Sequence, residues 1–150
     1  MRGVRSWLFD TFSGIPFSNL TKGEESKSLG GKLTDTSAEY VDGLLSRWSG
    51  RYRICEGDLF DTLPSTETGS LAFVHVDLNA SAPTRLALEY AHPRMVPGGV
   101  MLFDDYGRGY EDQRTAIEEF FAERPETVIA LPTGQGVVIA NAGLTGGGPG

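Results

Sequence analysis

Two apolar runs constrain this chain most: "LAFVHV" at 71–76 and "VMLF" at 100–103, each ending on aspartate and separated by a segment of helical pattern. Near-continuous apolar strands of this kind suit a sheet covered on both faces, as in parallel α/β architectures. The flanking segments repeat the theme. "SWLFD" (6–10) is a shorter strand emptying into the turn-rich "TFSGIPFSN", and "RYRICE" at 51–56 is another, with Gly57 and Asp58 at its exit. Helical spacing of Tyr40, Val41, Leu44, Leu45 and Trp48 predicts a helix over 37–48, capped by Ser37 and stopped by Gly50. "DLFDTLP" reads as one helical turn. A longer strand is expected at about 70–78, then a helix over 82–95 with Pro83 in its first turn, a Pro97-Gly98-Gly99 turn, and a helix over 111–123. "TVIAL" and "GVVIAN" close the pattern as two strands. Residues 17–35 carry little periodicity and are expected to be a mobile loop, and the Gly-rich tail, 142–150, to be disordered.

The expected fold is therefore α/β: an open, mostly parallel sheet in one domain, 1–141, with a closing antiparallel strand. A 39% apolar and 22% charged composition is that of a globular chain. Twenty acidic against thirteen basic residues, net charge −7, argue against nucleic-acid binding. The single Cys55 excludes an internal disulfide, and no signal-like or membrane-spanning apolar stretch is seen, so a cytoplasmic location without membrane contact is expected.

Asp10, Asp58, Asp77 and the Asp104-Asp105 pair each close a different expected strand. Ligands of open α/β sheets sit outside those carboxyl ends. Aspartate at one strand exit is common as a turn former or cap; four such exits are less easily explained that way. Adjacent residues in a regular strand face opposite sides, so Asp104 and Asp105 converge only at a strand's end. With Asp77 they would offer three hard oxygen ligands, which favour magnesium, or else calcium or manganese, over zinc. His75 shares a strand side with Asp77; a buried structural histidine is its first reading and a proton acceptor or substrate contact its second. His92 reads as a helix-end residue and Cys55 as a small core residue. "WLFDTF" lacks the second aspartate of a haloacid-dehalogenase phosphatase, since Phe12 stands there, and no Walker-type lysine loop occurs.

"WLFDTFSGIP", "GDLFDTLP", "FVHVDLNASAPTRLALEYAHPRMVPGGVMLFDDYG" and "TGQGVVI", in this order and spacing, resemble the macrocin O-methyltransferase family from about Ser6 to Ile139. The resemblance implies a Rossmann-like sheet of the class I methyltransferase type and S-adenosylmethionine as cofactor. Asp10 would then bind the ribose hydroxyls, and Asp58 and Phe60 would border the adenine. Asp77, Asp104 and Asp105 would hold magnesium, with Tyr106 and Gln135 nearby. Asp77 or His75 would take the proton of a small-molecule hydroxyl acceptor, a sugar or natural product. Two departures stand out. Asn79 and Ser81 replace an aspartate and a tyrosine of the family pattern, and only "MRGVR" precedes "SWLFD", where the family's first strand, Gly-rich turn and helix belong. That strand would sit mid-sheet, so the first βα unit is expected to be missing and homo-oligomerisation through the uncovered sheet is expected. The alternatives are a non-catalytic remnant or partner-binding domain of the same fold, and an unrelated magnesium-dependent hydrolase.

Overall fold

A computed structural model describes residues 5–27 and 30–141; the expected tail at 142–150 lies outside the described residues. The order is β1 (Ser6–Asp10), α1 (Lys22–Ser26), α2 (Ala38–Leu45), β2 (Tyr52–Glu56), α3 (Leu59–Thr62), β3 (Leu71–Val76), α4 (Ser81–Ala91), β4 (Met95–Phe103), α5 (Glu111–Phe121), β5 (Ile129–Ala130) and β6 (Gly136–Ile139). Short 3₁₀ turns at Phe17–Asn19, Ser46–Trp48 and His92–Arg94 extend or join these elements. Among the described residues no helix is long and apolar enough to cross a membrane.

The strands form two sheets rather than the single one expected. β1 pairs with β2 in parallel, Ser6 opposite Tyr52 through Asp10 opposite Glu56. The second sheet has the order β3-β4-β6-β5, with β3 and β4 parallel and β6 antiparallel to both its neighbours. β1 and β3 are not hydrogen-bonded to each other, so among the described residues each has one edge with no strand paired to it.

The core lies on one face of the larger sheet. Val76, Met101, Phe103 and Val138 pack against Leu88 and Ala91 of α4 and Ile117, Phe120 and Phe121 of α5. The opposite face corrects the expectation of strands covered on both sides. The register puts Phe73, Val100 and Ile139 in one row and His75, Leu102, Val137 and Ile129 in the next; Val100, Leu102 and Val137 at the centre are half-buried, and the flanking Phe73, His75, Ile129 and Ile139 are exposed. Phe73 is 59% and Ile139 54% exposed. His75 on this face is exposed too, which overturns its reading as a buried structural histidine. α2 likewise forms where its spacing predicts, yet of the five spaced residues Val41 and Leu45 alone are half-covered, while Tyr40, Leu44 and Trp48 face solvent.

Three local differences follow from packing. The Pro97–Gly99 turn is absorbed into β4, where Gly98 donates its N–H to Ala140 at 2.8 Å and the register with β3 shifts between Leu71 and Phe73. β3 ends at Val76, so Asp77 lies just beyond the strand. Part of the expected 17–35 loop is ordered as α1: Thr21 accepts from the Glu24 N–H at 3.2 Å, and Glu24 accepts from the Thr21 N–H at 2.8 Å. That reciprocal pair satisfies two otherwise orphaned donors at the helix start.

Candidate functional site

The exits of β1, β2 and β3 open into one cleft of about 110 Å³, walled by Asp10, Asp58, Asp77, Asn79 and, from the segment after β1, Ile15 and Leu33. Parallel strands bring their carboxyl ends to one side, and that places the aspartates together. Asp10 accepts the Phe12 N–H through Oδ1 at 2.8 Å, closing a tight turn with Phe12 at φ 50°. Asp58 has more fixed duties. Its carboxylate caps α3 by accepting the Phe60 N–H at 3.0 Å and accepts Asn19 Nδ2 at 2.9 and 3.2 Å. Phe60, expected beside it, is exposed and not among the residues lining the cleft.

Asp77, Asp104 and Asp105 converge as expected: one carboxylate oxygen from each lies within 4.8 Å of the others. The convergence is built by backbone. Asp104 donates its N–H to Val76 at 2.9 Å, which extends the β3–β4 pairing to the last strand residue. Asn79, in the left-handed region at φ 54°, turns the chain after Asp77 so that its N–H reaches Asp105 Oδ2 at 2.7 Å. Its side-chain Nδ2 donates to Asp77 Oδ1 at 3.2 Å. On the far side Gln135 Nε2 donates to Asp104 Oδ1 at 2.6 Å. That contact needs two loops to touch: a Cβ on Gly107 would stand 2.8 Å from the Gly134 backbone.

Like charges at this spacing cost energy unless a proton or cation intervenes. Burial pushes Asp105 up to about 6, against the opposing Asn79 hydrogen bond and with help from the charges of Asp77 and Asp104. Desolvation and then Asp104 raise Asp77 above the ordinary carboxylate range, with His75 and Asn79 pulling the other way. The donor set is all oxygen, as a magnesium- or calcium-sized cation requires. His75 Nε2 stands 3.9 Å from Asp104 Oδ1, outside the residues lining the cleft. Tyr106 turns away from the site: its ring joins the core and its hydroxyl donates to Glu118 at 2.9 Å.

Sequence reasoning missed Glu24 and Asn19, which tie the segment after β1 onto the site. Asn19 carries no sequence signal. Glu24 does, because Thr21-Lys22-Gly23-Glu24 is a capping-box pattern.

The family model described as macrocin-O-methyltransferase (TylF) matches residues 1–130. The chain is 32% identical over 112 residues to the 8-demethyl-8-(2,3-dimethoxy-alpha-L-rhamnosyl)-tetracenomycin-C 4'-O-methyltransferase of Streptomyces olivaceus, covering 68% of this chain and 42% of that protein. It is 29% identical over 112 residues to the mycinamicin III 3''-O-methyltransferase of Micromonospora griseorubida, covering 67% and 43%. The chain thus spans less than half the length of these curated relatives. Among solved structures, the O-methyltransferase NovP superposes with a TM-score of 0.81 at 22% identity, over 91% of this chain and 60% of that one. An O-methyltransferase from Bacillus cereus in complex with SAH superposes with a TM-score of 0.52 at 19% identity, over 92% and 75%. These likenesses establish the α/β methyltransferase fold.

Proposed function

Because the chain belongs to the macrocin O-methyltransferase family, we propose that it serves S-adenosylmethionine-dependent methyl transfer to a hydroxyl of a sugar or sugar-bearing natural product, assisted by magnesium. The observation that carries this reading is the Asp77–Asp104–Asp105 cluster at the edge of a cleft that also holds Asp10 and Asp58. Two relatives named as O-methyltransferases, of a rhamnosyl-tetracenomycin and of mycinamicin III, support the acceptor class. S-adenosylmethionine, when bound, supplies an electrophilic methyl carbon whose sulfonium leaves as a neutral thioether.

The chain's own residues have separable tasks. Asp10 keeps carboxylate capacity beyond its bond to Phe12 and suits a vicinal diol such as ribose. Asp58, held by Asn19 and the start of α3, forms a fixed wall for the adenine. Asp77, Asp104 and Asp105 would hold magnesium, which supplies positive charge where the acceptor oxygens bind. Asp77 lines the cleft and is raised above the ordinary range, which makes it a better proton acceptor than a free carboxylate; His75, outside the lining, is the alternate. A cytoplasmic location and self-association through the uncovered sheet face complete the proposal.

A second reading, a non-catalytic domain of the same fold, is favoured by the edges of β1 and β3 to which no strand is paired among the described residues. Calorimetric titration with S-adenosylhomocysteine, with and without magnesium, separates the two. Micromolar binding supports the enzyme; a folded protein that binds nothing supports the second reading.

A further inference from the structure

We infer that Glu24 is a positioning residue, a buried latch that caps α4 from a distant segment and thereby fixes the Asp77–Asn79 turn at the carboxylate cluster. Glu24 is 0% exposed although it belongs to a five-residue surface helix. Its Oε2 serves that helix by accepting the Thr21 N–H. Its Oε1 serves two others: it accepts the Ser81 N–H at 2.7 Å and Gln113 Nε2 at 3.3 Å, at the starts of α4 and α5.

α4 needs that acceptor. Its N-cap, Ala80, has no side chain able to cap and is itself fully buried, so water is a poor substitute. A carboxylate at this end also complements the helix dipole. The turn from Asp77 to Ala80 is short and carries Asn79 at positive φ, so it is held only as firmly as its two ends. One end is Val76, paired to Asp104; the other is Ser81, whose N–H is spent on Glu24. Asn79 in turn spends its own N–H on Asp105. A contiguous chain of bonded groups therefore runs from the segment after β1 to the cluster. Asn19 on Asp58 fastens the segment after β1 to the site a second time.

The inference rests on the proposed function only in treating the cluster as the working site, and its test can fail separately. Glu24→Ala and Glu24→Gln are compared with Ile117→Val, a core change in α5 that lowers the melting temperature without touching the latch, each at the same interval below its own midpoint. The Asn79 and Asp105 amide resonances and the hydrogen exchange of the Asn79 amide are read first, then magnesium affinity. In Glu24→Ala both resonances shift, Asn79 loses exchange protection, and magnesium affinity falls about tenfold or more, as for other groups that orient metal ligands. Glu24→Gln, which keeps one carbonyl oxygen, restores part of each loss. Unmoved Asn79 and Asp105 signals, or equal changes in Ile117→Val, would overturn the latch. Should Glu24→Ala not fold, the same signals in Glu24→Gln decide. If the wild type binds no magnesium, the metal reading fails while the amide signals still decide the latch.

Discussion

Asp105 bears the site's largest electrostatic cost. Its folded-state pKa of about 6 lies above the ordinary aspartate value of 3.8, so the folded protein holds the proton more tightly than the unfolded chain between those values. Stability therefore falls as pH rises through that window, and the loss is complete above about 6. Asp105→Asn removes the titration while keeping an acceptor for the Asn79 N–H. Measured by thermal melting in a chelator, the variant should gain on the wild type as pH rises from 4 to 7 and hold a constant lead beyond; parallel curves would refute this. A cation should reverse the sign. Magnesium needs the ionised carboxylates, so it should raise the melting temperature at pH 7.5, less so below about 6. Asp104→Ala should abolish that rise, and an equal shift in the variant would remove Asp104 from the cation site.

At the scale of elements, the site depends on the loop after β4 touching the loop before β6. Gly107→Ala would press a methyl against the Gly134 backbone, where neither side is a flexible side chain. The expected cost is about 1–3 kcal/mol of stability from overpacking, readable in denaturant melts, together with a weaker magnesium response as Gln135 is pushed from Asp104. Unchanged stability would mean that the loops part freely. The elements themselves were legible because their signals are local. Alternating helix and strand patterns placed β1 through β4 and α2, α4 and α5, and aspartates at strand exits pointed to the cluster. α1 was equally local, written in Thr21 and Glu24, but the polar, unperiodic stretch around it reads as loop. Tertiary partners were not legible: nothing near Asp58 announces Asn19, and nothing near Ala80 announces Glu24. Nor can an apolar strand say whether one face or two are covered, which is why the strand that carries Phe73 and His75 reads as covered on both.

For the whole molecule, those uncovered rows are the unresolved expense of the fold. Phe73 and Ile139 stand in one row of a largely apolar face, and among the described residues no strand pairs with the outer edge of β3 beside it. Exposed patches of this kind mark contacts between molecules. Burying a large apolar side chain is worth about 1.5–3 kcal/mol, while association costs about 4–15 kcal/mol. A few such side chains from each of two copies give a weak complex, so self-association should depend on concentration within the micromolar to millimolar range. Sedimentation equilibrium checks this directly. Phe73→Lys with Ile139→Glu should give a monomer, and because neither side chain supports the core, the variant's melting temperature when dilute should match the wild type. A wild-type protein that stays monomeric across that range would mean the face does not attract a second copy; a variant that loses stability when dilute would mean these side chains hold contacts within one chain.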